Sequence, residues 1–449
     1  MKRHTPLGLL FLVTCGFCTA PAICPAAEAW PRFQGPTPSA AASANLPTRW
    51  SATENILWQA NLPGYGQSSP VIGNRMVVVT TISGANKENC HVLALDPQSG
   101  KKLWQHDLKA ASGAKNNSFV SRAAPTPFID ADQITILFEG GNLLSLDHSG
   151  NVRWQRNLVA DYGQIKSAHG LGASLEQNDT AAFVWIERKN DPYLMAVSKT
   201  DGKTLWKSPG LGVTSWSSPR LVPVGESHHL VLSGVGKLAG YDPANGKQLW
   251  LLEDISGNST PTPVPLGNGQ FLIAATTGTR RSASAGKAAR SNGLVEIRQA
   301  ADGTFDAEFV WRAKRATSSF GSPLAHRGNA YFVNKQGVIY CLDLVDGKEK
   351  YAKRTAGSVW ATPIANGERM YFFGKKGTTT IVKAGDAFSK IAENDIFASA
   401  TAEDEGEDES DPPAAATAPA MGGPVLYAAA LDGESLFLRT GRVLYCLRQ

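Results

Sequence analysis

The stretch Ala94-Leu95-Asp96-Pro97-Gln98-Ser99-Gly100-Lys101-Lys102-Leu103-Trp104 is the unit from which the rest of the chain is read. Its alternating apolar positions, a turn carrying Pro and Gly, and a second run ending in Trp predict a β-hairpin. The same text returns as Gly240-Tyr241-Asp242-Pro243-Ala244-Asn245-Gly246-Lys247-Gln248-Leu249-Trp250, and from Ala196 through Asp201-Gly202-Lys203-Thr204-Leu205-Trp206. Looser copies run from Asp147 to Trp154 and from Asp343 to Tyr351. A repeat at this period replaces the length-based expectation of about three domains with one closed array.

The terminal aromatics Trp58, Trp104, Trp154, Trp206, Trp250, Trp311, Tyr351 and Phe388 mark the units, at spacings of 37 to 61 residues. That range suits blades of four short strands. Most units open alike, with Ser69-Pro70, Ala124-Pro125, Ser218-Pro219, Thr260-Pro261, Ser322-Pro323 and Thr362-Pro363. Pro can lead a strand without costing an interior ladder bond. Seven units lie between markers. The pieces at the two ends, Asn55-Ile56-Leu57-Trp58-Gln59 and residues 434–447, read as parts of an eighth. The expected fold is therefore all-β, an eight-bladed β-propeller of four-stranded antiparallel blades, closed by pairing of the N- and C-terminal segments. Closure removes sheet edges that would otherwise recruit other chains.

Composition agrees. Charged residues are 18% of the chain, with 44 Gly and 26 Pro, as many short strands and tight turns require. The formal charge of +5 is small for 449 residues and is spread along the hairpins, so nucleic-acid binding is not indicated. Lys2-Arg3-His4, an apolar run from Leu7 to Phe17 and Ala27-Glu28-Ala29 read as a signal peptide over 1–29, leaving one domain over 30–449. The apolar run is too short to span a bilayer. The alternative is a lipoprotein signal at Leu12-Val13-Thr14-Cys15, with lipid on Cys15. Insertions at 276–292, small and basic, and at 403–421, acidic and then Pro/Ala-rich, read as flexible surface loops. The acidic run lacks the spacing of an ordered calcium loop.

Cys15, Cys18 and Cys24 fall in the leader, leaving Cys90, Cys341 and Cys446 as packed free thiols with at most one disulfide among them. Catalytic patterns are weak. Ser112-Gly113-Ala114-Lys115 and Ser284-Ala285-Gly286-Lys287 fit S-x-x-K by chance frequency, Gly236-Lys237 lacks the Gly of a phosphate loop, and His228-His229 point to opposite faces of a strand.

The hairpin text resembles the quinoprotein-type (PQQ-like) β-propeller repeat, A-x-D-x-x-T-G-x-x-x-W, called the tryptophan-docking motif. Residues 94–104 match it with Ser for Thr. The start Trp30-Pro31-Arg32-Phe33-Gln34-Gly35-Pro36 and the ending Leu436-Phe437-Leu438-Arg439-Thr440 to Leu447 resemble BamB-like exported propellers, named after an outer-membrane assembly scaffold. The resemblance implies a non-catalytic scaffold in the cell envelope, monomeric and bound to a protein partner or small ligand, with no cofactor. It equally brings in quinone-dependent oxidoreductases, which hold PQQ and calcium on the propeller axis. Against that alternative, the chain has no Cys-Cys pair and no C-x-x-C-H haem site.

Aligned on their openings, the units place Gln67, Arg122, Trp216, Asn258, Phe320 and Trp360 three residues before each Pro, with Gly172 in the third unit if Leu175 replaces Pro. These connections pass from one blade's outer strand to the next blade's inner strand, so closure should gather them at one mouth of the channel. Three aromatics with an Arg and two amides form a candidate binding mouth, centred on Arg122, Trp216, Phe320 and Trp360.

Overall fold

Each hairpin read from the sequence is the outer half of a four-stranded antiparallel sheet, and eight such sheets make up the fold. The computed structural model describes Met1 and residues 30–36, 45–117, 120–167, 169–276, 283–318, 320–355, 357–397 and 424–449. The leader, including Cys15, and the acidic run therefore lie outside the described residues. Blades 1 to 7 span residues 71–109, 128–157, 176–209, 220–252, 264–312, 324–354 and 364–395. Blade 8 takes three strands, Leu426–Asp432, Ser435–Thr440 and Val443–Leu447, from the C-terminal end. Its outer strand is Ile56–Asn61, which pairs antiparallel with Val443–Leu447 and sets Trp58 opposite Cys446. Val71–Gly73 of blade 1 touches Leu426–Asp432 of blade 8, so the ring is closed.

The tryptophans lock neighbouring blades. Trp58 Nε1 donates to Pro97 O (3.0 Å), Trp104 to His148 O (2.9 Å), Trp154 to Lys199 O (2.7 Å), Trp206 to Pro243 O (3.0 Å) and Trp311 to Leu344 O (2.9 Å). Each acceptor is in the outer turn of the next blade. The indole lies flat on the Gly of that turn: a Cβ on Gly202 would stand 2.5 Å from the Trp154 ring, and one on Gly100 2.6 Å from Trp58. Both glycines have positive φ, so the residue serves the turn and the close approach together. Opposite most of these aromatics on the third strand sits a small side chain, such as Ala94, Ser145, Gly240, Cys341 or Cys446, whereas Trp311 faces Leu294.

Two markers depart from the pattern. Trp250 donates instead to His229 Nδ1 of its own blade (3.0 Å). The reason is the longer hairpin of blade 5: strands Gly293–Gln299 and Phe305–Arg312 continue well past Trp311, carrying their turn outward. Nothing lies within 4 Å of a Cβ built on Gly303, and Phe305 packs against His229 instead, with ring centroids 4.5 Å apart. His229 is thus buried while His228 is exposed, on opposite faces of the strand. Phe388 is not the blade 7 marker. Ala392 takes that register, opposite Ile381, and Phe388 packs edge-on against Tyr351 from the preceding turn (5.7 Å).

The three described cysteines are buried and unpaired, and burial raises Cys90 to about 12 and Cys341 and Cys446 to about 11. The basic insertion is not all loop. Residues 277–282 lie outside the description, but Ala283–Ala289 is a helix, and Asn292 behind it is fully buried. Asn292 donates to Ala288 O (3.1 Å) and accepts from Ala275 N (2.9 Å), which ties the helix to blade 5.

Candidate functional site

A belt of side-chain oxygens runs from blade to blade at the start of the inner strands. Ser69 N donates to Thr126 Oγ1 (3.0 Å), Thr126 N to Ser174 Oγ (3.0 Å), Ser174 N to Ser218 Oγ (2.9 Å) and Ser218 N to Thr262 Oγ1 (2.9 Å). Thr262 N then donates to Ser322 Oγ (3.0 Å) and Ser322 N to Thr362 Oγ1 (3.2 Å). A hydroxyl is required here because each inner strand begins with a backbone N–H that no ladder reaches. The belt also fixes the alignment of the units. In blades 2 and 5 the equivalent openings are Thr126-Pro127 and Thr262-Pro263, two residues after those chosen from sequence, and in blade 3 Ser174-Leu175 fits as expected.

With that correction, the residues two before the belt hydroxyls are Gln67, Ala124, Gly172, Trp216, Thr260, Phe320 and Trp360. All seven line one cavity of about 580 Å³ on the axis. Of the six residues singled out in the sequence, Gln67, Trp216, Phe320 and Trp360 line it, whereas Arg122 and Asn258 are not among its lining. Asn258 is fully buried and clamps a turn, accepting from Gly236 N (3.0 Å) and donating to Ser233 Oγ (2.9 Å) and Lys237 O (2.9 Å). Arg122 lies at the rim, its guanidinium 3.4 Å from the Tyr65 ring centroid and its backbone N–H bonded to Gln67 Oε1 (2.8 Å). Trp216 is oriented by a bond from its Nε1 to Gly170 O (3.1 Å), and Phe320 meets Trp360 edge-on (5.1 Å).

Residues 30–36 supply part of the wall that sequence reasoning did not anticipate. Ile72 N donates to Trp30 O (2.7 Å) and Ile129 N to Pro31 O (2.8 Å), which threads this segment across the inner strands of blades 1 and 2. Arg32 then reaches Glu176 of blade 3 (2.6 Å), whose other oxygen is 3.5 Å from Arg220 of blade 4. Burial acts to raise the Glu176 carboxyl, but the two guanidiniums outweigh it and hold the group below its ordinary value. Trp30, Phe33 and Gln34 line the cavity. Composition alone does not pair Arg32 with a residue 144 positions away, and the only local signal is an Arg among apolar residues next to the first blade.

Glu187 fixes part of the mouth. Its Oε1 accepts from Trp185 Nε1 (2.7 Å) and from Leu211 N in the connection to blade 4 (2.7 Å). Burial lifts this carboxyl to about 7 despite those bonds. The folded value lies above the ordinary 4.5, so its contribution is fully present below about 4.5 and is lost as pH rises through about 7. Glu187→Gln keeps an acceptor and removes the charge. Its urea midpoint should therefore fall less than that of the native chain between about pH 5 and 8.

The lining bears on cofactor chemistry. Among the described residues, no side chain lining the cavity carries a carboxylate or a fixed positive charge. A calcium ion takes six to eight oxygens, carboxylates among them, and PQQ, a tricarboxylate, calls for cationic partners. These residues do not fit that pair. Among the described residues no cluster of three or more His, Cys, Asp or Glu is placed to hold a metal ion.

A family model described as outer membrane protein assembly factor BamB matches residues 41–185, 190–290 and 292–444. The chain belongs to that family. Within the BamB family, the factor of Burkholderia pseudomallei (strain K96243) is 27% identical over 222 residues, 48% of this chain and 52% of the relative. The match thus spans about half the length of that relative. Among solved structures, BamB from Moraxella catarrhalis superposes with a TM-score of 0.57 at 12% identity, covering 87% of this chain and 99% of that one. The quinohemoprotein alcohol dehydrogenase of Comamonas testosteroni gives 0.56 at 11% identity, over 93% and 80%. At these identities the likeness concerns the fold.

Proposed function

We propose that the chain is an exported, non-catalytic scaffold of the cell envelope that grips a protein partner at the mouth lined by Gln67, Trp216, Phe320 and Trp360, with Arg122 on the rim. The observation that carries this reading is the uncharged aromatic cavity built where the blade connections converge. Such concave, mostly apolar sites with a few convergent polar groups are where binding energy concentrates. The name of the Burkholderia relative, an outer membrane protein assembly factor, supports a protein partner, and the leader read in residues 1–29 supports export. Lipid on Cys15 remains the alternative way of holding the chain at a membrane. The dehydrogenase neighbour has the same fold, but the described lining offers no carboxylate to hold calcium.

The test is capture of partners from the native envelope by the chain and by the double variant Trp216→Ala/Trp360→Ala. Truncating two such anchors should weaken capture by tens-fold or more. A quinone absorbance with dye-coupled reduction in the purified native protein would contradict the proposal.

A further inference from the structure

The chemistry of the segment that enters the mouth follows from a contrast between the cavity and its rim, on the reading that the mouth is the binding site. The cavity is uncharged, but cations from three successive sectors press against its aromatic edge. Lys375 Nζ, in a turn of blade 7, stands 4.1 Å from the Trp360 ring centroid. Arg442, in the corresponding turn of blade 8, and Arg122, in the connection from blade 1 to blade 2, lie 5.8 and 3.4 Å from the ring of Tyr65. Tyr65 in turn is hydrogen-bonded through its hydroxyl to Tyr427 of the cavity lining (2.7 Å).

Within the described residues none of these three cations is paired with a carboxylate, unlike Lys350, which has Asp343 and Asp386. Lys375 and Arg442 are not needed to hold their turns. Those turns are tied by backbone bonds, Lys375 N to Ser358 O (2.7 Å) and Leu62 N to Arg442 O (2.8 Å). The outer turns of the opposite face carry both signs instead, Asp96 with Lys101, Asp242 with Lys247 and Asp343 with Lys348. The mouth is thus a neutral aromatic hollow inside a cationic arc.

We infer that the mouth takes an acidic peptide segment of the partner: one large uncharged residue, aromatic by preference, fills the hollow, and flanking carboxylates meet Lys375, Arg442 and Arg122. A uniformly anionic polymer would satisfy the arc but leave the hollow unfilled, and a single-stranded nucleic acid needs a groove that tracks its backbone. A purely apolar segment would leave the arc unpaired.

The test uses a fluorescein-labelled heptapeptide, Glu-Glu-Gly-Trp-Gly-Glu-Glu, titrated with the full chain and followed by anisotropy. Replacing its Trp by Gly should weaken binding about tenfold or more. Replacing its Glu residues by Gln, or the protein's pair by Lys375→Gln/Arg442→Gln, should weaken it about fivefold. Raising salt from about 50 to about 300 mM should erase the latter difference. Equal binding of the Trp-less peptide, equal binding of the Gln peptide, displacement by oligothymidine, or binding seen only after removal of residues 403–411 would each overturn the inference. If no form of the peptide binds while Trp216→Ala/Trp360→Ala still abolishes capture of native partners, the acidic-peptide assignment falls and the mouth remains the binding site.

Discussion

Ending the chain after Gly433 should abolish cooperative folding, not merely lower its midpoint. The cut removes strands Ser435–Thr440 and Val443–Leu447, leaving Leu426–Asp432 and Ile56–Asn61 without partners. Leu436, Phe437, Leu438, Leu444 and Leu447 are all buried, and each is worth about 1.5 to 3 kcal/mol of burial. Their sum, on the order of 10 kcal/mol, matches the whole stability of a typical domain. The cut also deletes Arg439, fully buried, whose guanidinium donates to Ser68 O (3.0 Å), Ser68 Oγ (2.6 Å) and Thr80 O and so ties blade 8 to blade 1. Two open edges would remain, and open edges aggregate. Thermal unfolding of the truncated chain at a native midpoint would show that the termini do not close the ring.

The second large effect concerns the docked tryptophans. Trp154→Ala and Trp311→Ala should each cost about 3 to 5 kcal/mol, with Trp104→Ala and Trp206→Ala, whose rings are partly exposed, nearer the lower figure. Besides the cavity, each leaves a carbonyl of the next blade without its donor. Trp250→Ala should cost a similar amount through lost packing on Phe271, yet leave the outer turn of blade 5 undisturbed, because its indole bonds within its own blade. Glycine variants make the comparison sharper. Gly202→Ala must both hold a positive φ and push a methyl into the Trp154 ring, whereas Gly303→Ala meets nothing and pays only the strain of about 1 kcal/mol. Denaturation midpoints measured for the pair should differ severalfold in their displacement. Equal displacement would mean that the ring–glycine contact does not hold the blades together.

The repeated hairpin was enough to read the blade count and the shared eighth blade, because local turn chemistry and strand period are written in consecutive residues. What escaped depended on contacts distant in the chain. Phe388 looked like a blade marker, but it lies before the outer strand begins at Lys390, and the register beside the bulge at Ile391 belongs to Ala392. The Pro-based alignment slipped by two residues in blades 2 and 5, where two X-Pro pairs stand in succession and only the hydrogen-bonded belt distinguishes them. That slip brought Arg122 and Asn258 into the candidate ring in place of Ala124 and Thr260, while Trp216, Phe320 and Trp360 line the cavity. The segment 30–36 was noticed only as a resemblance. Its seat on the axis depends on Glu176 and Arg220, which no local pattern links to Arg32.

The direct measurement is photo-crosslinking in the native envelope from single positions on the two faces. Phe320, 45% exposed at the mouth, and Val345, 80% exposed in an outer turn of the opposite face, are each replaced by a photoreactive phenylalanine analogue. The mouth account predicts that position 320 traps a discrete protein partner and that position 345 does not. A partner trapped from 345 and absent from 320 would contradict it.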